Sequence, residues 1–270
     1  MTQANAVTLH VDDQGQGRPV VLIHGWPLSG EAWEKQVPAL LDAGFRVITY
    51  DRRGFGRSDK PDGGYNYDTL AADLDALMAE RDLNDVTLVG FSMGGGEVAR
   101  YVGNHGEARL HSVVFASAVP PYMMKTDDNP DGPLTEDAAK EMRAGLEKDR
   151  ESFFDDFTKN FFTAEDELKV SEDDRQKAIT LCHQSDQQAA LGCMDAFGTT
   201  DFRQDLDKIT IPTLVLHGAA DGIVPVEGSG DRTAQQVKNA RKVVVDGAPH
   251  GMNVSHAAEF NAALIEFLKS

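Results

Sequence analysis

Several residue types are too scarce in this chain of 270 residues to support whole classes of protein. Cysteine occurs twice, as Cys182 and Cys193, and neither belongs to a C-x-x-C motif or to a Cys/His cluster. A disulfide scaffold needs more cysteines, and a structural metal site needs such a cluster. Both residues are therefore interpreted as idle or buried thiols, and no metal site is predicted.

Basic residues and long apolar runs are scarce as well. The 26 lysines and arginines face 44 acidic residues, and the resulting net charge of −18 would be repelled by nucleic-acid phosphates and anionic lipid. The longest apolar runs, such as residues 20–23, are far too short to cross a bilayer. Residues 1–10 lack the basic and apolar regions of a secretory signal. The sequence predicts a cytoplasmic protein without nucleic-acid or membrane partners.

The acidic residues are concentrated in one part of the chain. Residues 121–200 contain 9 basic and 19 acidic residues, which gives this segment a net charge of −10. Such a concentration is typical of a well-solvated face. An acidic docking surface is the alternative.

Short β-branched runs alternate with helical patterns over both ends of the chain. The runs lie at 20–23, 47–50, 86–89, 113–115, 214–216 and 242–245. They are continuously apolar, which is typical of parallel strands covered on both faces. Apolar residues at helical spacing predict helices at 67–81 and 256–269. This alternation predicts an α/β fold with a mostly parallel, doubly wound sheet.

The alternation stops between about residues 120 and 201, where turn signals precede helical patterns. Five phenylalanines fall within ten residues here, and Phe153, Phe157 and Phe161 would share one helical face. They either pin a helical insertion to the sheet or line an apolar pocket above its edge. We predict a core formed by residues 1–119 and 201–270, with a helical cap at 120–200.

A motif typical of a nucleophilic serine follows the run at 86–89. Gly90-Phe91-Ser92-Met93-Gly94 matches G-x-S-x-G between a predicted strand and a predicted helix, as a nucleophile elbow requires. The tight turn strains the serine backbone, and glycines two residues before and after it avoid collisions. The N-terminus of the helix directs free N–H groups toward a developing oxyanion.

A serine nucleophile needs a base, and the base needs a carboxylate. His250 follows the run at 242–245 closely, and Asp221 follows the run at 214–216. Both therefore belong to the sheet edge at which Ser92 is predicted, in the chain order Ser–Asp–His. His256 is the rival base, and Asp246 is the rival acid.

The chain resembles the α/β-hydrolase superfamily, and within it the cofactor-free haloperoxidases, or perhydrolases, and their arylesterase relatives. Five segments in the family's order are the basis of the resemblance: His24-Gly25-Trp26-Pro27, residues 51–58, residues 90–96, residues 217–221 and Ala248-Pro249-His250-Gly251. It implies an α/β-hydrolase fold and a homo-oligomer. It also implies an oxyanion hole formed by the backbone N–H groups of Trp26 and Met93.

The resemblance and the motifs together predict a serine carboxylesterase or arylesterase that acts on small esters through an acyl-enzyme. The expected pocket wall consists of Leu28, Met93, Phe157, Phe161, Ile223 and Val224. His-Gly-Trp-Pro is similar to members that favour perhydrolysis, in which hydrogen peroxide replaces water. An amidase or γ-lactamase with the same residues is one alternative, and a catalytically weak ligand-binding protein is another.

No cofactor is predicted for this chemistry. Gly54-Phe55-Gly56-Arg57-Ser58 lacks the third glycine of a dinucleotide-binding loop, and the chain contains no phosphate-binding G-x-x-x-x-G-K-[ST] motif. The expected small molecules are an ester or acid and either water or hydrogen peroxide.

Overall fold

A computed structural model of the chain describes residues 7–270. The strands are, in chain order, β1 (Val11–Gln14), β2 (Pro19–Ile23), β3 (Arg46–Tyr50), β4 (Val86–Phe91), β5 (Leu110–Ala116), β6 (Thr163–Ala164), β7 (Glu167–Leu168), β8 (Thr213–Gly218) and β9 (Ala240–Val245). The helices are α1 (Gln36–Asp42), α2 (Tyr67–Glu80), α3 (Met93–His105), α4 (Glu136–Lys148), α5 (Arg150–Phe162), α6 (Glu172–His183), α7 (Gln187–Thr199), α8 (Arg203–Leu206), α9 (Gly230–Gln236), α10 (Met252–Ser255) and α11 (Ala257–Leu268). Short 3-10 turns lie at Gly30–Trp33 and Val226–Gly228.

Seven of these strands form one sheet in the order β1-β3-β2-β4-β5-β8-β9, and β6 and β7 form a separate small hairpin. Every neighbouring pair in the large sheet is parallel except β1 with β3. The predicted α/β fold is therefore confirmed. The chain places β3 on one side of β2 and then returns to place β4 on the other side. Open α/β sheets bind ligands at the carboxyl ends of the strands beside such a change in strand order.

Five of the six predicted runs form strands that are buried in the sheet, whereas the run at 242–245 forms the partly exposed edge strand β9. Residues 20–23 of β2 are completely buried, and all six residues of β4 are buried. The predicted helix at 67–81 corresponds to α2, whose first turn is capped by Asn66 accepting from the Thr69 N–H. Asparagine is well suited to this cap position. The predicted helix at 256–269 corresponds to α11.

The segment between β5 and β8 contains α4 to α8 and the β6–β7 hairpin. Helix α5 buries Phe154, Phe161 and Phe162, whereas Phe153 and Phe157 on the same helix are half-buried. The five phenylalanines thus both attach the helix and face the space above the sheet edge. The cap limits at residues 120 and 200 stay a prediction.

Both cysteines are buried free thiols. Burial raises the pKa of Cys193 to about 12, and burial also raises the pKa of Cys182 far above its usual value. A protonated thiol is a poor nucleophile. These environments match the interpretation of both residues as idle.

Within residues 7–270, no helix combines the length and apolar character needed to cross a membrane. Residues 1–6, which belong to the N-terminal segment predicted to lack a secretory signal, lie outside the described residues.

Candidate active site

Ser92 lies on the sharp turn between β4 and α3. Its backbone adopts φ 55° and ψ −119°, a positive φ that non-glycine residues rarely adopt. The Ser92 N–H donates to the Ala116 carbonyl oxygen at 2.9 Å, and this bond ties the turn to the end of β5. The strained turn brings the Ser92 side chain to the carboxyl edge of the sheet.

The glycines of the motif are required by close backbone contacts on both sides of Ser92. A Cβ at Gly90 would lie 2.4 Å from the Gly94 carbonyl oxygen, and one at Gly94 would lie 2.5 Å from the Ile23 carbonyl oxygen. Both distances are far inside van der Waals contact. Alanine at either position would therefore push β4, α3 and the end of β2 apart.

Three side chains from three strand ends form one hydrogen-bonded chain. His250 Nε2 lies 2.9 Å from Ser92 Oγ, and His250 Nδ1 lies 2.7 Å from Asp221 Oδ2. A carboxylate can only accept, so the Nδ1 proton points to Asp221 and Nε2 is free to accept the Ser92 proton. All three side chains are buried. This arrangement has the contacts that an activated serine requires.

Asp221 has several hydrogen-bond donors besides His250. The N–H groups of Ile223 and Val224 donate to its Oδ1 at 3.0 and 2.8 Å, and His217 Nε2 lies 3.3 Å from its Oδ2. Burial acts to raise the pKa of Asp221, but the charge of His250 and the hydrogen bonds from both histidines outweigh burial. The pKa of Asp221 is held well below its usual range, so this group is an anion at neutral pH.

The backbone N–H groups of Trp26, on the loop after β2, and of Met93, the first residue of α3, lie on either side of Ser92. Within residues 7–270, neither group donates to a protein acceptor. The loop with Trp26 approaches Ser92 closely, because a Cβ at the preceding Gly25 would lie only 3.1 Å from the Ser92 Cβ. Two free main-chain donors beside the nucleophile suit an oxyanion hole.

A buried polar cluster holds the loop that begins at His24. The His24 Nδ1–H donates to the Gly25 carbonyl oxygen at 2.8 Å, and His24 Nε2 accepts from the Arg52 N–H at 3.0 Å. The Arg52 guanidinium also donates to the His24 carbonyl oxygen and pairs with Glu97, each at 2.8 Å. Burial, with the Arg52 charge, lowers the pKa of His24 to about 3. A neutral His24 can therefore keep both of its hydrogen bonds.

Ser92 and His250 open into an apolar cavity of about 50 Å³. Of the residues predicted for its wall, Phe157, Ile223 and Val224 line it, and so does the Trp26 side chain. Trp26 is also packed in the core, with its indole N–H donating to the Ala190 carbonyl oxygen at 2.9 Å. Trp26 thus supplies both a ring to the wall and a backbone donor to the loop.

Other predicted wall residues lie elsewhere. Leu28 and Phe161 line a neighbouring cavity of about 200 Å³, and Met93 is buried outside the wall of the smaller one. The Leu28 N–H closes a turn on the Gly25 carbonyl oxygen at 3.1 Å, which carries the chain past the small cavity. Leu28 therefore lines the neighbouring cavity and not the one into which Ser92 opens. Phe161 still contacts the site, since its ring centroid lies 5.0 Å from that of His250.

The cavity also has a wall that the sequence did not indicate, formed by Val119, Met123, Leu134, Met142 and Phe197. Val119 and Met123 follow the end of β5, so their position at the sheet edge was a usable signal. Met142 lies on α4 and Phe197 on α7, and no local pattern distinguishes them from other apolar residues of these helices.

The two rival residues, Asp246 and His256, neither line the cavity at Ser92 nor hydrogen-bond to Ser92 Oγ. Asp246 is exposed, and His256 Nδ1 lies 2.9 Å from the neighbouring Ser255 Oγ. The structure thus brings together Ser92, His250 and Asp221 and leaves both rivals outside.

Comparison with known proteins identifies the family. A protein-family model described as the alpha/beta hydrolase fold matches residues 18–257 of the chain. The non-heme chloroperoxidase CPO-A1 of Kitasatospora aureofaciens is 44% identical over 270 residues, covering 99% of this chain and 98% of that protein. The chain belongs to the α/β-hydrolase family of non-heme haloperoxidases.

Two further relatives of this hydrolase cover it almost completely. The crystal structure of a bromoperoxidase from Bacillus anthracis superposes with a TM-score of 0.97 at 50% identity, covering 98% of this chain and 96% of that one. A bifunctional esterase/perhydrolase of Acinetobacter calcoaceticus is 37% identical over 277 residues, covering 100% of this chain and 99% of that protein. The resemblance inferred from the five segments is therefore confirmed.

Proposed function

We propose that this hydrolase is a serine esterase for small carboxylic esters, with perhydrolysis as a side activity. The observation that supports it most directly is the hydrogen-bonded chain Ser92–His250–Asp221, which ends in a small apolar cavity beside two unused main-chain donors. The names of the relatives, non-heme chloroperoxidase and esterase/perhydrolase, point the same way.

In the proposed acylation step, Ser92 Oγ attacks the ester carbonyl carbon while its proton moves to His250 Nε2. The carbonyl oxygen becomes an oxyanion that accepts from the N–H groups of Trp26 and Met93. His250 then gives the proton to the leaving alcohol as the C–O bond breaks, and the acyl group stays on Ser92. Asp221 keeps its negative charge throughout and stabilises the protonated His250.

In deacylation, a water molecule takes the position that the alcohol has left. It loses a proton to His250 Nε2 and attacks the acyl carbon, and the proton returns to Ser92 as the acid leaves. When hydrogen peroxide attacks instead of water, the same steps release a peracid. The reaction is acid–base and acyl-transfer chemistry, for which these side chains suffice without a cofactor.

The esterase proposal is tested by covalent labelling and turnover on the same preparation. A fluorophosphonate probe should label Ser92, identified by mass spectrometry of the labelled peptide, and labelling should abolish p-nitrophenyl acetate hydrolysis. Turnover of p-nitroacetanilide above that of the ester would favour the amidase alternative. Binding of a substrate analogue with neither labelling nor turnover would favour a catalytically weak ligand-binding protein.

The small volume of the cavity predicts a preference for short acyl groups. Replacing Phe157 by alanine removes an aromatic ring from the cavity wall and should raise kcat/KM for p-nitrophenyl hexanoate relative to the acetate by about tenfold or more, as expected when methylene groups gain room. Phe153→Ala is the matched control, since Phe153 lies on the same helix but outside the wall. Equal chain-length profiles for both variants would contradict this prediction.

Perhydrolysis should be detectable as peracetic acid formed from acetate and hydrogen peroxide, measured through the oxidation of bromide. Proline restricts the backbone of the residue before it, so Pro27 limits the conformations of Trp26. Pro27→Leu should therefore reduce peracid formation relative to p-nitrophenyl acetate hydrolysis. Unchanged bromide oxidation in Pro27→Leu would remove Pro27 from the explanation, and unchanged oxidation in Ser92→Ala would place the reaction elsewhere.

The other expectations from the sequence stay predictions. They are a cytoplasmic location, assembly into a homo-oligomer, and the lack of nucleic-acid and membrane partners.

A further inference from the structure

His217 is a completely buried histidine beside the proposed acid. It is the second-to-last residue of β8, and Asp221 follows it by one tight loop. No role is predicted for it from the sequence. Its ring nevertheless reaches the same carboxylate oxygen that faces His250, since its Nε2 lies 3.3 Å from Asp221 Oδ2.

The contacts of the ring fix its tautomer. Nε2 lies 2.8 Å from the Val224 carbonyl oxygen, and both this oxygen and the Asp221 carboxylate can only accept, so the proton belongs on Nε2. Nδ1 is buried and has no hydrogen-bond partner within residues 7–270. Gly230 closes that side, because a Cβ there would lie 2.6 Å from Nδ1. A second proton on Nδ1 would have no acceptor.

The N–H group of His217 therefore connects both ends of the turn that presents Asp221. Val224 accepts from His217 with its carbonyl oxygen and donates its N–H to Asp221 Oδ1 at 2.8 Å. The Val224 side chain also lines the cavity at Ser92. Replacing His217 would therefore affect both the Asp221 carboxylate and the cavity wall at Val224.

We propose that His217 is a positioning residue for the acid. Its Nε2–H donates to the Val224 carbonyl oxygen and lies 3.3 Å from Asp221 Oδ2. In this position it holds the carboxylate against His250 and stabilises its negative charge while His250 carries the Ser92 proton. The proposal deepens the esterase function and rests on it. It includes no proton transfer to or from His217.

Among residues 7–270, the titratable groups that face Asp221 are His250, from the loop after β9, and His217. Helix α11 presents apolar residues such as Phe260 and Leu264 to the core beneath. The charged residues on the 3-10 turn, α9 and the loop after β9 are exposed or half-exposed: Glu227, Asp231, Arg232 and Asp246. A change in the pH dependence on replacing His217 is therefore attributable to the His250–Asp221 pair.

The test compares His217→Phe with His217→Gln. Phenylalanine keeps a planar ring of similar size but removes the donor, whereas glutamine can place an amide N–H near the position of Nε2. Losing a hydrogen bond to a charged group is expected to lower the rate by a factor of about 10 to 100. We expect kcat for p-nitrophenyl acetate to fall by about this factor in His217→Phe, with a much smaller change in KM, and to recover largely in His217→Gln.

The pH profile gives a second measurement. With one donor fewer, the negative charge of Asp221 is less stabilised, so the His250–Asp221 pair holds a proton more strongly. The acidic limb of the pH profile of kcat/KM should therefore move to higher pH in His217→Phe. A merely structural role would lower kcat equally in both variants and leave this limb in place, and that result would overturn the proposal.

Failure of the proposal can be distinguished from failure of the esterase function. If the wild-type chain lacks Ser92-dependent turnover, the esterase function itself is wrong. If the wild type turns over and His217→Phe, folded by circular dichroism, keeps full kcat and an unchanged profile, only the role of His217 is wrong. If His217→Phe does not fold, His217→Gln decides, because it should retain most of the activity and the wild-type acidic limb; a loss like that of a missing donor would overturn the proposal.

Discussion

Ser92→Ala should lower kcat for p-nitrophenyl acetate by about 10³- to 10⁶-fold, the range expected when a nucleophile of this kind is removed. Ser92 Oγ is the atom 2.9 Å from His250 Nε2, and no acyl-enzyme can form without it. The oxyanion donors remain in place, so a residual rate above that in water is expected. Initial rates measured with product-calibrated absorbance would cover this range.

The chain offers a matched control in Ser117→Ala. Ser117 is a buried serine at the end of a neighbouring strand, it also has a positive φ of 43°, and its Oγ has no hydrogen-bond partner within residues 7–270. Removing such a hydroxyl should change kcat only slightly. A comparable loss of activity in both variants would mean that the rate depends on the fold rather than on the nucleophile.

Asp221→Asn should lower kcat by about 10⁴-fold, the size of the effect when the acid of a serine protease is changed in this way. Asparagine keeps the shape and an oxygen that can accept from the Ile223 and Val224 N–H groups. Its amide would then donate to His250 Nδ1, and the proton would move to Nε2, which could no longer accept from Ser92. The loss should therefore appear in kcat without loss of the folded structure, as checked by circular dichroism.

Asp246→Asn is the control for the acid. Asp246 follows β9 just before His250 and was the rival from the sequence, but its side chain is exposed. Its replacement should leave kcat nearly unchanged. Full activity of Asp221→Asn together with a large loss in Asp246→Asn would reverse the assignment.

Much of this fold could be predicted because the sheet is buried on both sides. Continuous apolar runs such as residues 20–23 are needed at such positions, and they are visible without knowledge of the partner strands. Strand β1 was not predicted, since Val11-Asp12-Asp13-Gln14 is a polar edge strand that pairs with β3 alone. Its formation depends on the partner rather than on its own pattern.

The residues of the site also differ in how well their positions could be predicted from the sequence. Ser92, Asp221 and His250 could be located because each lies within a few residues of the end of a recognisable strand, and parallel strands end at one edge. The cavity wall could not be located to the same extent. Which faces of α4 and α7 cover that edge depends on the packing of the insertion, and the place of Leu28 depends on one backbone turn.

The order of the strands also determines when the site can exist. Strands β1 to β5 are complete by Ala116, but β8 and β9 are added to the same side of the sheet only after residues 117–212 have been made. Parallel pairings over such sequence distances form slowly, because the long loop must close before its contacts contribute. A nascent chain thus contains Ser92 long before it contains the acid and the base. Its hydroxyl remains that of an ordinary serine until the last strand docks, so esters in the cell would meet an active nucleophile only on a completed molecule.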